Sequence, residues 1–333
     1  MTRALVYREG KPPEELAVED AIERIDAERA LVWIDADRPP KEELNTLATQ
    51  LGINEFTLED LQSANQRTKL DHYSDQWHVA VHDCEVRDRE LITREIDVVF
   101  GDGWLLSVRQ KPEGHARAEP FPMELVQQRF ESQRVEHDST DEGFLLWALL
   151  DVVVDRHFIV TDVVDDAIDE AEVVVLGDDA EEVAQRRGRP RQLFELSKLL
   201  VQFRRAASPL REVVSAILRR ETPCISEAAF PHFQDVFDHV LRVSDLVESQ
   251  RDVLTGLRDA ELTVVSNAMS RSQQQIAAWG AMLIVATLIT GLLGMNFANA
   301  PELDWGEGFL VIGGIIALLC APLYIWFKRK EWL

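Results

Sequence analysis

The sequence predicts an α+β cytoplasmic domain, a mixed sheet with helices, followed by long α-helices and a two-helix C-terminal transmembrane hairpin. Three observations predict it. Short runs rich in Val, Ile, Leu and Trp stop near Lys111, helical periodicity takes over from Phe121, and two uncharged apolar runs lie near the end of the chain. Those runs, Ile276 to Leu293 and Phe309 to Phe327, hold 18 and 19 residues. As helices they measure about 27 to 29 Å, close to the hydrocarbon thickness of a bilayer. Only 15 residues separate them, so they are expected to pack as adjacent antiparallel spans rather than as buried core helices.

In chain order, Ala4 to Tyr7, Ala30 to Ile34, Trp77 to Val86 and Glu95 to Arg109 read as strands, the last split into a hairpin by Gly101-Asp102-Gly103. Pro40 to Leu51 reads as a helix with Pro at its start and Gly52 behind its end, and Phe56 to Gln62 as a shorter one. These form a mixed α/β domain over residues 1–120. Residues 121–225 read as a helical hairpin, with helices over Glu142 to Leu176 and Pro190 to Arg220 joined by the charged segment Gly177 to Arg189. Residues 226–293 form a stalk helix that continues into the first span. Phe233, Val240, Val247 and Leu254 recur seven apart, with Val236, Val243 and Leu257 on the adjoining face. From Phe233 to Leu293 one helix would run about 90 Å. A break at the Asn, Ser and Gln cluster of Asn267 to Ser272 is the alternative. Residues 294–308 are then an external loop, 309–327 the second span and 328–333 a basic tail.

Charge sets the orientation. Arg271 precedes the first span and Lys328, Arg329 and Lys330 follow the second, whereas the loop carries Glu302, Asp304 and Glu307 and no Lys or Arg. The positive-inside rule places both termini in the cytoplasm of a cell that bears the protein in its inner or plasma membrane. Trp279, Trp305, Trp326 and Trp332 near the span ends suit the lipid interface. Residues 271–333 carry four acidic and four basic side chains, so the net charge of −24 falls on residues 1–270. Such a surface repels nucleic acid and anionic lipid and suits cations or simple solubility. Cys84, Cys224 and Cys320 are dispersed and imply no disulfide framework. Met1 to Gly10 lacks the apolar core of a signal peptide.

Gly294-Met295-Asn296 ends the first span at the outer face, just before the acidic loop. Alone, such a tripeptide is a helix stop. At a pore mouth, freed carbonyls and the Asn296 amide oxygen are neutral oxygen ligands, suited to a Mg²⁺ ion that keeps its water. On the long helix, Asp235 and Asp238 share a face with His232 and His239 nearby, which is either a solvated surface or a cation site. Asp165, Asp166 and Asp169 make a further acidic patch. The remaining histidines form no zinc-hydrolase signature, no Gly-x-Ser-x-Gly occurs, and no Gly-rich phosphate loop precedes a Lys-Ser or Lys-Thr pair. An enzyme and an ATP-driven pump are both poor fits, and no organic cofactor is expected.

Gly-Met-Asn-Phe followed by Pro-Glu-Leu-Asp-Trp, between two C-terminal spans and ahead of Lys-Arg-Lys-Glu-Trp-Leu, resembles the CorA family of divalent-cation (magnesium/cobalt) transport proteins. The similarity extends to Phe233 through Val240, to Leu58-Glu59-Asp60-Leu61 and to Gln66-Arg67-Thr68-Lys69-Leu70. The resemblance implies a homo-oligomer, a pentamer, with the first span of each subunit lining the pore, and Mg²⁺ transport with Co²⁺ or Ni²⁺ accepted. It implies a selectivity filter at Gly294, Met295 and Asn296, beside the external acidic loop that holds Glu302 and Asp304. Thr287, Ile284 and Ile276 fall on the pore line. It further implies a regulatory Mg²⁺ at a subunit boundary, held by Asp235 with a carboxylate of the neighbouring N-terminal domain. Asp88 is the chosen partner over Asp83 and Glu85, with Asp238 and Asp166 close by. Two positions depart from the family pattern, Leu293 where Tyr is common and Ala300 where Met often precedes Pro-Glu-Leu.

Two spans cannot enclose an ion path, so transport requires several copies. At about 100 mV a divalent ion gains about 4.6 kcal/mol on entering a negative interior, so no ATP site is required. The related zinc transporter branch is the nearest alternative, and a membrane-anchored sensor or scaffold without transport is the other. Met295 and the Pro-Glu-Leu loop favour Mg²⁺.

Overall fold

The computed structural model describes residues 2–28, 30–63, 66–112, 118–137, 141–176, 189–220, 222, 225–294 and 308–333. The chain divides into two compact units, residues 1–173 with 188–256, and residues 174–187 with 257–333.

The first unit is built on a seven-stranded sheet. Its strands are β1 (Thr2–Tyr7), β2 (Glu14–Leu16), β3 (Leu31–Asp37), β4 (Lys69–Tyr73), β5 (Gln76–Arg87), β6 (Glu90–Gly101) and β7 (Trp104–Arg109). They lie in the order β2-β1-β3-β7-β6-β5-β4, and β3 with β7 is the one parallel pair. The expected hairpin at Gly101-Asp102-Gly103 is the β6–β7 turn, where Gly103 takes φ 79°, a left-handed value that favours glycine. β6 starts at Glu90, five residues before its expected start, because its pairing with β5 continues down to Glu90 opposite Arg87.

Helices cover both faces. On one lie α1 (Val18–Glu28), α2 (Lys41–Leu51) and α3 (Glu55–Gln62), whose Ala21, Leu44, Leu47 and Leu61 pack in one core with Val32, Ile34, Val99, Leu106 and Val108. The helix expected over Pro40 to Leu51 is α2, with Pro40 as its N-cap and Gly52 in the left-handed region behind it. α3 is capped by the Asn54 side chain, which accepts from Phe56 N–H at 2.9 Å. On the opposite face lie α4 (Met123–His137), α5 (Glu142–Leu176), α6 (Arg189–Ala207) and α7 (Leu210–Leu218). Phe130 of α4 stands edge-on to Tyr7 of β1 at 4.9 Å, Arg156 of α5 pairs with Asp83 of β5, and α6 packs on β5 and β6.

The single helix expected over Pro190 to Arg220 is two helices. Pro209 lacks the N–H that would continue α6, so the chain turns at Ser208-Pro209 and restarts as α7, which lies against β4. The connection expected between the two long helices, residues 177–188, lies outside the described residues.

α8 (Phe230–Leu293) is one helix of 64 residues, unbroken at Asn267 to Ser272. The seven-residue repeat is its buried seam: Phe233, Val236, Val240, Val243, Val247, Leu254 and Leu257 are all buried. Burying each such side chain stabilises the fold by about 1.5–3 kcal/mol.

Glu142 opens α5 from a buried position. Burial pushes its carboxyl from an ordinary value of 4.5 up to about 7, against the opposing pull of backbone N–H groups at Glu142 and Gly103. A raised carboxyl pKa favours the protonated folded state, so stability falls as pH rises from about 4.5 through about 7. Glu142→Gln keeps an oxygen for Gly103 N–H and removes the charge. We expect it to raise stability by about 1–3 kcal/mol at pH 8 and to change it little at pH 4.5, measured by thermal unfolding of the full chain.

Candidate ion path and cation-binding site

The second unit contains the last part of α8 and α9 (Gly308–Arg329). The apolar windows of both helices are only 6% buried, which separates them from core helices of a soluble fold. Ile276, Leu283, Ile284 and Leu288 of α8 and Leu310 and Leu318 of α9 all stand more than half exposed. Cys320 approaches the Met282 carbonyl at 3.9 Å; these residues stand at similar distances from the facing helix ends Leu293 and Gly308, as an antiparallel hairpin requires.

At 100° per residue, Ile276, Gly280, Ile284, Thr287, Gly291 and Gly294 fall within an 80° sector of α8. The three predicted pore residues therefore share a face with three glycines. An open groove on this helix is lined by Leu283, Ile284, Thr287, Leu288, Gly291 and Leu292. Its polar group is the Thr287 hydroxyl, which donates to the Leu283 carbonyl at 2.7 Å and keeps its lone pairs outward. The Thr290 hydroxyl donates likewise to Ala286 O at 3.1 Å, so these hydroxyls carry their own acceptors along the helix. Gly294 ends the helix, its N–H bonded to Thr290 O at 2.9 Å. Met295, Asn296, Glu302 and Asp304 lie outside the described residues.

In the first unit, Asp235 is brought together with Asp151 and His239, one potential ligand atom of each lying within 4.8 Å of the others. Helix geometry explains two of the three, because Asp235 and His239 are one turn apart on α8, Nε2 to Oδ1 3.9 Å. The third comes from α5. Burial raises the Asp151 carboxyl pKa, while the Arg129 guanidinium, paired with both Asp151 and Asp155, opposes that shift. His239 has a buried Nδ1 with no hydrogen-bond partner among the described residues, and the Asp235 carboxylate is 68% exposed, open to a neighbouring molecule. The donor set of two carboxylates and an imidazole suits a divalent cation that keeps part of its water.

The other predicted residues are elsewhere. Asp238 is exposed and accepts from Gln234 Nε2 at 3.2 Å. Asp165 accepts from Gln250 Nε2 at 2.9 Å, and Asp166 and Asp169 are exposed along α5. Asp88 sits at the exposed tip of the β5–β6 hairpin with φ 51°, beside Arg89 at φ 65°. Asp83 is buried and paired with Arg94 at 2.7 Å and with Arg156, and Glu85 pairs with Arg87 at 2.9 Å. Of the three N-terminal carboxylates, Asp88 alone is exposed and has no ion pair among the described residues. Sequence reasoning missed Asp151 and Arg129. The signal available was the spacing of Asp151 and Asp155, two acids one turn apart in an otherwise apolar stretch of α5.

The chain is 29% identical over 284 residues, 85% of its length and 77% of the other's, to the cobalt/magnesium transport protein CorA of Thermotoga maritima. To the zinc transport protein ZntB of Pectobacterium atrosepticum it is 25% identical over 195 residues, covering 58% of this chain and 57% of that one. The CorA magnesium transporter structure from Methanocaldococcus jannaschii shares the fold with a TM-score of 0.78 at 20% identity, over 99% of this chain and 98% of that one. The family described as CorA-like Mg²⁺ transporter protein matches residues 28–329, almost the whole of both units, and the chain accordingly belongs to that family of divalent-cation transporters of the membrane.

Proposed function

We propose that the chain is a Mg²⁺ uptake channel that also accepts Co²⁺ or Ni²⁺, assembled as a homopentamer with α8 of each copy facing a central path and both termini in the cytoplasm. The observation that carries this reading is the sector of α8 in which Ile276, Ile284, Thr287 and the helix-ending Gly294 share one side among exposed apolar residues. One chain offers no enclosed path along that sector, whereas a ring of copies turns five such sectors inward. Ile276 and Ile284 are hydrophobic constrictions, Thr287 offers hydroxyl oxygens between them and the outer face, and the backbone at Gly294 with Met295 and Asn296 contacts the hydrated ion. Glu302 and Asp304 draw cations to the mouth. Inward movement is driven by the membrane potential.

Intracellular Mg²⁺ regulates the channel at Asp235, which with Asp151 offers the carboxylate oxygens the ion prefers, while the exposed side of Asp235 meets Asp88 of the neighbouring subunit. Asp238 and Asp166 add negative potential around it. Bound cations neutralise this boundary and hold the ring closed, and their loss lets like charges part the subunits. A zinc-transporting variant of this reading draws on the imidazole of His239 within the same cluster.

The test is ion flux into proteoliposomes holding the purified full chain, with Mg²⁺, Co²⁺ and Zn²⁺ supplied in turn. Mg²⁺ uptake that rises with an inside-negative potential is the expected result, and Zn²⁺ uptake without Mg²⁺ uptake would reverse the choice of ion. In the same vesicles Asp235→Ala should raise the internal Mg²⁺ needed for half-inhibition several-fold. Unchanged inhibition would remove Asp235 from the sensor.

A further inference from the structure

A second cation cluster lies on the other side of the sheet from α5, and the ion path makes no use of it. His78 on β5 stands directly opposite Asp71 on β4, and Lys69 stands opposite Ala80, so all three side chains share the face covered by α3. Asp60 reaches down from α3. One potential ligand atom each of Asp60, Asp71 and His78 lies within 4.8 Å of the others. The His78 side chain is fully buried, and its Nδ1, 3.7 Å from Asp60 Oδ2, has no hydrogen-bond partner among the described residues. Its Nε2 meets Asp97 Oδ1 at 2.9 Å, and Gln110 Nε2 holds the second Asp97 oxygen at 3.2 Å. Asp97 is itself fully buried. With Nε2–H donating to the Asp97 carboxylate, the Nδ1 lone pair faces Asp60 and Asp71. This carboxylate–imidazole relay is how proteins orient histidine toward a metal.

The cluster already contains a cation. Lys69 Nζ lies 2.7 Å from Asp60 Oδ2 and 2.7 Å from Asp71 Oδ2. Burial disfavours its charge, but the two carboxylates outweigh burial and raise its pKa above the ordinary lysine value. Two carboxylates and one ammonium leave a formal charge of −1, and the two ion pairs to Lys69 account for the placement of Asp60 and Asp71. Asp97 accounts for the Nε2 of His78 but not for its Nδ1, a buried nitrogen that faces this group with no hydrogen-bond partner among the described residues, which is a cost.

We propose that Asp60, Asp71 and His78 form a binding site for a borderline transition-metal dication, Co²⁺ or Zn²⁺, and that Lys69 is a tethered counter-ion which the metal displaces. The 3.7 Å between His78 Nδ1 and Asp60 Oδ2 is close to the ligand separation of about 3.3 Å that tetrahedral bonds of about 2.0 Å require. Asp71, 32% exposed, gives the ion a route from solvent, and Lys69 has a flexible stem that can carry its ammonium outward. The exchange replaces one positive charge by two between two carboxylates and releases no proton, since Lys69 leaves as the ammonium. Imidazole with carboxylates selects Co²⁺ and Zn²⁺ over Mg²⁺, and here the buried imidazole is one of the ligands the site requires. Because Lys69 competes, the site fills only when such ions are in excess.

The test uses the full chain in detergent micelles with Asp235→Ala as the parent, so that the other cluster does not contribute. Co²⁺ is titrated and followed by the visible absorption of the bound ion and by the thermal midpoint. Lys69→Met should tighten Co²⁺ binding at least tenfold and make the midpoint rise with Co²⁺, whereas His78→Gln, which leaves the Lys69 pairs intact, should abolish the nitrogen-ligated absorption. Mg²⁺ should produce neither change. Equal Co²⁺ binding in the parent and Lys69→Met, or absorption that survives His78→Gln, overturns the proposal and leaves an ion pair only. If Lys69→Met folds only when Co²⁺ is present the proposal is supported, and if it does not fold even then, the His78→Gln comparison decides.

Discussion

Asp83→Ala should lower the stability of the sheet-bearing unit by about 3–5 kcal/mol, read as a drop in thermal midpoint of the purified full chain. Asp83 is 2% exposed and lies between two guanidiniums, with Arg94 donating at 2.7 Å and Arg156 from the opposite side. Its removal leaves both arginines inside the fold with only the Glu85 carboxylate nearby, 3.8 Å from Arg156. Arg94 has little reserve, because burial already lowers its pKa against the support of Asp83. Cys84, next in sequence and buried, has its thiol pKa raised by burial first and then by Asp83, which marks the same low-dielectric surroundings. Asp83→Asn should fall in between, since an amide oxygen still accepts but carries no charge. If Asp83 were instead a sensing carboxylate, Asp83→Ala would alter the Mg²⁺ response with the midpoint unchanged, and that result would contradict the structural role.

Asn296→Ala should reduce Mg²⁺ uptake at least tenfold in proteoliposomes, with the amount and oligomeric state of the inserted protein unchanged. Each copy of the chain gives one amide oxygen, and in a ring every copy loses it at once, so a modest loss per contact multiplies. Tenfold corresponds to about 1.4 kcal/mol across the whole ring, well within what a set of neutral oxygen ligands contributes around a dication. A membrane-anchored scaffold would show no uptake in either protein. Uptake equal to that of the unmodified chain would remove Asn296 from the ion's path.

The fold was legible where local chemistry and tertiary structure agree. Gly103 turns the β6–β7 hairpin and Gly52 ends α2 because both need left-handed backbone, and the repeat at Phe233, Val240, Val247 and Leu254 is the buried seam of α8. The missed elements had weak local signals. β2 has three residues at the sheet edge, and β4, Lys-Leu-Asp-His-Tyr, is polar because it is the other edge strand and carries the Lys69 and Asp71 charges. α1, Val18–Glu28, is rich in acidic residues that mask its apolar side. Pro209 itself marks the break at Ser208-Pro209, although the apolar periodicity runs on through it. For the site, Asp235 and His239 were visible as a helix turn, but Asp151 comes from a helix some eighty positions earlier, and no spacing rule relates two helices packed by their apolar faces. Asp60, Asp71 and His78 were invisible for the same reason, since register between β4 and β5 and the placement of α3 bring them together.

The pairing of Arg129 with Asp151 and Asp155 bears on the charge that an ion meets at the Asp235 cluster. Three carboxylates and one guanidinium give these four groups a formal charge of −2. A single dication would bring these four groups to neutrality, and the Asp88 carboxylate that the proposed boundary adds would leave one negative charge over. Without Arg129 the same ion would leave a further carboxylate unmatched. In the proposed reading Arg129 thus lowers by one the negative charge that Mg²⁺ meets at this position, before Asp88 of the neighbouring subunit adds its own.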